Sequence, residues 1–283
     1  MPEDTTYPTI PEDRGEDLIN LDLASEADLV LFMAGNQFMA MPELLEAFQK
    51  EHPEVEKIFC ETLPPRLELE QILAGGAWYR GELLQVVPDV YSSVSREGVD
   101  LLQDKGMVRP EETFAYLHNR IVLMVRAGNP KGLRRVQDLA YEEVRVSQPN
   151  PRFEDIAGHI LNMYLQVGGE DLVETIMQRK VRSGTTLLTV VHHRETPQRL
   201  IRGRVDVGPV WATEVVHALA QGLPLEGIDL PEEIDQRDKV DYWMCRIRKG
   251  NNVENARLFL AFVKTPQAQK IFERHGFTQA FKA

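Results

Sequence analysis

Short β-rich runs alternate with amphipathic helical stretches along almost the whole chain, and that alternation leaves few architectures open. DLVLFMAG is followed by PELLEAFQKEHP, and VEKIFCETL by PRLELEQILAGG. VVPDVYSSVS precedes a helix around Glu97 to Lys105, and the strand NRIVLMVRAGNP ends in Gly128-Asn129-Pro130. Next come RVQDLA, the strand VRVSQP, a long helix expected at 152–167 and closed by Gly168-Gly169, and TTLLTVV. After DVGPVWA and the turn-rich GLPLEGIDLP, the strand DYWMCRIRKG leads into a helical stretch at 253–274 with Ala256, Phe259, Leu260, Phe262 and Val263 on one face. Strand followed by helix, repeated, predicts an α/β protein whose sheets are largely parallel. Residues 1–27 are acidic, contain three prolines and hold no period, so they are expected to form an extended arm.

Composition narrows the functional classes. The 283 residues carry 44 acidic and 32 basic side chains, a formal charge of -12. Affinity gained by neutralising phosphates needs a basic face, so nucleic acid is excluded as a partner. The length corresponds to about two domains at roughly 150 residues each. No run approaches the roughly 20 apolar residues of a membrane-spanning helix. Cys60 and Cys245 form no paired metal motif; each lies in an apolar strand-like run, KIFCETL or YWMCRI, and is expected as a buried free thiol, with a single long-range disulfide as the alternative. The N-terminus shows no basic region followed by an apolar core, which predicts either a cytoplasmic protein or one whose signal has been removed. Gly-x-Ser-x-Gly, glycine-rich phosphate loops, His-Glu-x-x-His and Gly-x-Gly-x-x-Gly are absent, so neither an enzyme nor a cofactor is expected.

Four strand-to-helix junctions share one grammar, a polar residue and then proline or a small residue. They are Asn36-Gln37; Thr62-Leu63-Pro64-Pro65; Gln148-Pro149-Asn150-Pro151, where Asn150 is the expected N-cap and Pro151 the first helical residue; and the segment ending in Thr196 and Pro197. In an open α/β sheet the carboxyl ends of the strands converge on the ligand crevice, and helix N-termini there favour anions. HHRETP is the most chemically loaded segment. His193 and Arg194 suit an oxyanion or carboxylate; His192, His193 and Glu195 are metal-ligand types, although adjacent residues of an extended segment point to opposite faces; a structural loop held by Arg194-Glu195 pairing is the third reading. Arg152 is placed to close on an anion from the side, Arg66 opens a helix at the crevice edge, and Trp211 and Tyr91 sit at strand ends as pocket walls or core.

Five segments then carry a family likeness: MAGNQFMAMPELLEAFQKEHPEV; LEQILAGG with PDVYSSVSREGVDLL; NRIVLMVRAGNPKGLRRVQDLA; RGRVDVGPVWATE; and ENARLFLAFVKTPQAQKIFERHGF. From about Leu29 to Phe277 the chain resembles the molybdate/tungstate-type substrate-binding proteins of ABC importers, a branch of the type II periplasmic binding proteins. The resemblance implies a two-lobed α/β fold, each lobe a mixed, mostly parallel sheet flanked by helices, with lobe one at 28–116 plus 245–283 and lobe two at 117–244. It further implies a small anion in the cleft between the lobes, hinge closure, delivery to an ABC permease and a periplasmic location. Its ligand loops fall at Asn36, Gln37, Thr62, Gln148 to Asn150 and the segment around Trp211. Asn36-Gln37 stands where the family usually has serine, Thr62-Leu63-Pro64-Pro65 where it has Ser-Ser-Gly, and WYRGELLQV is an unusual insertion. The expected partners are thus an anionic solute and a permease, with the chain a monomer. A cytoplasmic ligand sensor, a metal-binding receptor or an enzyme on the same fold are the alternatives.

Overall fold

A computed structural model of the chain describes residues 7–152, 154–190 and 195–280. The chain divides into two compact units. Unit one comprises the chain up to Leu117 with Asp241–Arg274 and the segment from Thr278; unit two comprises His118–Val240 with His275–Phe277. The return crossing comes at Asp241, earlier than the sequence pattern suggests, so the whole of the strand DYWMCRI belongs to unit one.

In chain order, unit one begins with β1 (Leu18–Ile19), β2 (Leu29–Phe32), α1 (Met41–Glu51), β3 (Ile58–Glu61), α2 (Pro65–Ala74), β4 (Ala77–Tyr79), β5 (Glu82–Leu84), β6 (Val90–Ser93), α3 (Arg96–Asp104) and β7 (Val108–His118). Unit two supplies β8 (Ile121–Arg126), β9 (Val146–Gln148), α4 (Ile156–Glu174), a π-helical turn at Thr175–Arg179, α5 (Lys180–Arg182), β10 (Thr186–Leu188), α6 (Glu195–Ile201), β11 (Val207–Trp211), α7 (Ala212–Ala220) and β12 (Leu225–Ile228). The chain returns to unit one through β13 (Asp241–Ile247), α8 (Val253–Val263), α9 (Pro266–Arg274) and β14 (Thr278–Gln279).

The sheet of unit one runs β1-β3-β2-β6-β13-β7-β14, with β3, β2 and β6 mutually parallel, β1 antiparallel to β3 and β13 antiparallel to β6. That of unit two runs β10-β9-β11-β8-β12, parallel through β10, β9 and β11 and antiparallel through β8 and β12. The parallel strands β2, β3 and β6 are buried along their whole length, because both faces of such a sheet are covered, whereas the edge strand β10 is buried only at Thr186. Met41, Leu44, Leu45 and Phe48 form the buried stripe of α1, and the Phe48 ring meets Phe259 and Phe262 of α8 edge-on at centroid distances of 5.3 and 5.4 Å. Thr265 caps α9, its Oγ1 accepting the Ala268 N–H at 3.2 Å, and Pro266 opens the helix; this is the break in the 253–274 stretch.

Three local expectations are corrected. Residues 7–27 are not an extended arm. They contain short 3₁₀ turns and β1, which pairs with β3, and they bury Ile10 and Leu18. The insertion explains why: it forms the hairpin β4–β5, whose Trp78 backbone bonds to Pro8 and Ile10, both at 2.8 Å. Second, the long helix begins at Ile156 rather than 152 and runs through Gly168-Gly169 to Glu174, with a kink at Gly169, where φ is 64°. Asn150 caps a turn instead, its Oδ1 accepting the Arg152 N–H at 3.1 Å. Third, α6 already includes Glu195, ahead of Thr196 and Pro197.

Candidate functional site

Because β2, β3 and β6 are parallel, their carboxyl ends share one edge of the unit-one sheet. β13 is antiparallel to β6, with Trp243 opposite Ser93, so Tyr242 arrives at that same edge, and Tyr116 reaches it near the end of β7. A buried network forms there. Gln37 Nε2 donates to Tyr116 Oη at 2.5 Å, Ser92 Oγ lies 2.7 Å from the same phenol oxygen, and Asn36 Nδ2 donates to Tyr242 Oη. Tyr116, Tyr242 and Gln37 are fully buried, and Asn36 is 4% exposed. Asn36 Oδ1 has no hydrogen-bond partner among the described residues. If the amide is turned over, Tyr242 donates to Oδ1 and Nδ2 is left instead. Either way one polar atom of Asn36 is left unpaired among the described residues, and a buried polar atom is costly to leave so.

The loop after β3 touches this network through Gly35. A Cβ there would lie 3.0 Å from the Leu63 carbonyl oxygen and 3.1 Å from that of Thr62, so only glycine lets the two loops meet so closely. Thr62 Oγ1 donates to Asp17 Oδ1 at 3.4 Å, and Asp17 pairs with Arg14 at 2.9 Å. Beneath the loop, Glu68 Oε1 accepts the Leu63 N–H and Glu61 Oε2 accepts from Gln71, both at 3.0 Å, while Glu61 Oε1 and Glu68 Oε2 have no partner among the described residues. Burial pushes the Glu61 carboxyl up to about 8 and drives Glu68 well above the usual range, where the Glu61 and Asp17 charges add to the effect. Burial thus favours the neutral form of both acids, and the edge presents amides and hydroxyls beside them. Burial, with Glu68 and Glu61, also raises the Cys60 thiol; Cys60 and Cys245 are both free and buried.

In unit two the carboxyl ends of β9, β10 and β11 again share an edge. Gln148 is fully buried; its Oε1 accepts from Tyr164 Oη at 2.7 Å and its Nε2 donates to the Pro149 carbonyl at 3.2 Å. Asn150 bridges to the β10 loop, its N–H donating to Thr189 Oγ1 at 3.0 Å and its Nδ2 to the Thr189 carbonyl at 3.2 Å. Arg152 is exposed beside it. Trp211 is 3% exposed, with its ring 5.8 Å from that of His159, which makes it a wall of the core. The Gly-x-x-Asp-x-Gly pattern before β11 has a structural explanation. Asp206 takes a forked pair from Arg145 at 2.9 and 3.1 Å, and a Cβ on Gly208 would sit 2.5 Å from the Thr196 methyl and 2.9 Å from the Ser147 carbonyl.

Asn36 and Gln37 thus share one network in unit one, with Thr62 held apart from it by Asp17; Gln148, Asn150 and Arg152 share a loop in unit two, with Trp211 in the core behind. His192, His193 and Arg194 lie outside the described residues. Glu195 lies in α6, accepts the Val190 N–H and pairs with Arg199 at 2.5 Å. Among the described residues no group of three or more His, Cys, Asp or Glu side chains is arranged to hold a metal ion. Tyr116, Tyr242, Ser92, Glu61 and Glu68 escape the sequence reading because a lone tyrosine or glutamate in a strand-like run carries no spacing signal.

The chain resembles known proteins over nearly its full length. It is 23% identical over 261 residues to the molybdate-binding protein ModA of Mycobacterium tuberculosis, covering 89% of this chain and 84% of that protein. It is 20% identical to the ABC transporter substrate-binding lipoprotein YvgL of Bacillus subtilis, over 91% of this chain and 88% of the relative. The sulfate-binding protein SubI of M. tuberculosis has the same fold, with a TM-score of 0.70 at 18% identity over 89% of this chain and 86% of that one. The family model for bacterial extracellular solute-binding proteins matches residues 29–278. With that match, and with two mixed α/β sheets whose parallel strands end in polar loops, the chain belongs to the bacterial extracellular solute-binding protein family.

Proposed function

We propose that this protein is the extracytoplasmic receptor of an ABC importer and that it binds a small anion, an oxyanion or a carboxylate, without turning it over. The observation that carries the reading is the unit-one network, where Asn36 is buried at a carboxyl sheet edge with one polar atom unsatisfied among the described residues and with burial pushing the carboxyls of Glu61 and Glu68 upward. Amides, hydroxyls and helix starts hold an anion without charged side chains, so the formal charge of -12 is no obstacle. The molybdate- and sulfate-binding names of the relatives support the ligand class.

On this reading Asn36, Gln37 and Thr62 from unit one, and Gln148, Asn150, Arg152, His193, Arg194 and Trp211 from unit two, form or support the ligand loops. Asn36 contacts the anion; Gln37 holds the loop through Tyr116; Thr62, Gln148 and Trp211 act through the backbone they position. Ligand binding shifts the population toward the form that binds the anion better. The receptor works as a monomer and delivers its cargo to a membrane permease. A thermal-unfolding panel of molybdate, tungstate, sulfate, phosphate, carboxylates and divalent metals tests this. One anion class is expected to raise the transition through linkage; stabilisation by a metal alone, with no response to any anion, contradicts it.

A further inference from the structure

A groove of about 560 Å³ runs along β10 in unit two. β10 is the outermost strand of its sheet. The ladder to β9 uses the Thr185 carbonyl, at 2.8 Å from the Val146 nitrogen, and the Thr189 N–H, at 3.0 Å from the Gln148 carbonyl. Backbone groups alternate sides along a strand, so Thr186 and Leu188 turn theirs outward. Opposite the strand, Gln198, Arg199, Arg202 and Arg204 close the groove.

The charges in this groove do not balance internally. Glu195, the acid of the wall, has its oxygens engaged by the Val190 N–H and by Arg199. Arg199 is itself committed to Ser147 Oγ at 3.2 Å and to the Leu187 and Leu188 carbonyls at 2.9 and 3.0 Å. Arg202 and Arg204 are exposed and, among the described residues, enter no ion pair, whereas Arg145, Arg237 and Arg246 elsewhere in this acidic chain each hold a carboxylate. Thr186 adds an independent sign. It is 2% exposed, it lines the groove, and its hydroxyl has no partner among the described residues. A buried hydroxyl left unpaired is costly, and here it stands at the wall of a cavity with two free guanidinium groups.

We propose that this groove is a second anion site, taking a phosphate monoester with a small organic body. Arg202 and Arg204 hold the phosphate with charge-assisted hydrogen bonds, for which the planar guanidinium is suited, and Thr186 Oγ1 donates to it. The body lies against Val181, Leu187 and Leu188, which make up the apolar part of the lining. The volume is several times what a bare tetrahedral oxyanion fills, which separates this site from one built for an inorganic ion alone. The site uses neither the strand-end loops of unit one nor the ligand proposed for the receptor.

Nitrogen-15 NMR of the arginine side chains in the full chain, titrated with glycerol 3-phosphate, tests the proposal, with inorganic phosphate, glycerol and sodium chloride at matched ionic strength as separate arms. The expected result is saturable movement of the Arg202 and Arg204 Nε–H signals with glycerol 3-phosphate, weaker saturation with phosphate and none with glycerol or chloride. Calorimetry should show affinity falling about 100-fold in R202A/R204A and about 10-fold in T186V, the sizes expected for losing two and one charge-assisted contacts. Both arginines are exposed, so the double variant should keep the wild-type urea midpoint. Absence of saturable movement, an equal response to chloride, or unchanged affinity in R202A/R204A overturns the site. Phosphate binding as tightly as glycerol 3-phosphate overturns the organic body.

Discussion

The two strand-end regions solve the same problem with different materials. In unit one the first loop is held by side chains, two amides resting on the phenols of Tyr116 and Tyr242, with the buried acids Glu61 and Glu68, whose carboxyls burial pushes upward, below. In unit two the loops are held by side chain-to-backbone bonds between Asn150 and Thr189 and by the backbone bond from the Thr189 N–H to the Gln148 carbonyl, and behind them by an ion pair, Arg145 with Asp206. Buried side-chain networks are rigid and intolerant of partial loss, whereas in unit two a backbone bond remains when either side chain is changed. Unit one is thus the more vulnerable side of the receptor, and the two regions should answer pH with opposite signs.

The pH response is the largest expected difference. Glu61 keeps its proton in the folded protein up to about 8, against 4.5 for the ordinary group. Between those values the native state binds more protons than the unfolded chain, so this group's contribution is full below 4.5 and is lost as the pH rises to about 8. The slope is at most about 1.4 kcal/mol per pH unit. Urea unfolding of Glu61→Gln across this window should show the variant gaining on the wild type as pH rises. Asp206 behaves oppositely. Burial works to raise its carboxyl, but the hydrogen bonds and charge of Arg145 outweigh that and hold it below 3.8. Its contribution is present above the ordinary value and disappears as the pH falls through the depressed one, so Asp206→Asn should flatten only the acid limb.

Crowding comes next. Gly208→Ala places a methyl group against the Thr196 side chain and the Ser147 carbonyl, and should lower stability by about 2 kcal/mol, read from the urea midpoint. Tyr116→Phe removes the shared oxygen from Gln37 and Ser92, at an expected cost of about 1–2 kcal/mol. If that change left stability intact, the contrast between the regions would fail. The smallest effect belongs to Arg66→Ala. Arg66 is 83% exposed and pairs with Glu70 one turn away, so the midpoint should move by less than about 0.5 kcal/mol.

Much of the fold is legible in the sequence because its carriers are periodic or punctuated. The buried run LVLF and the stripe of Met41, Leu44, Leu45 and Phe48 each name their element, while the stretch at 253–274 is split in the structure at Thr265-Pro266. The arm is not, since Ile10 acquires its partner only from a hairpin that reads as an insertion, and Leu18 only from the distant strand β3. Pro151 misplaces the start of α4 because Asn150 caps a local turn as readily as a helix. At the site, Asn36 and Gln37 are visible as a polar loop opening a helix, while their phenol partners lie 79 and 206 residues away along the chain, a distance local pattern does not bridge.

Calorimetric titration of the wild type and of Asn36→Ala with molybdate, sulfate, phosphate and a dicarboxylate tests the central claim most directly. The account predicts that one of these anions binds the wild type and that Asn36→Ala weakens it at least about 10-fold, the loss of one buried hydrogen bond to a charged group. Wild-type affinity retained in a folded Asn36→Ala protein, or no heat from any anion, would contradict it.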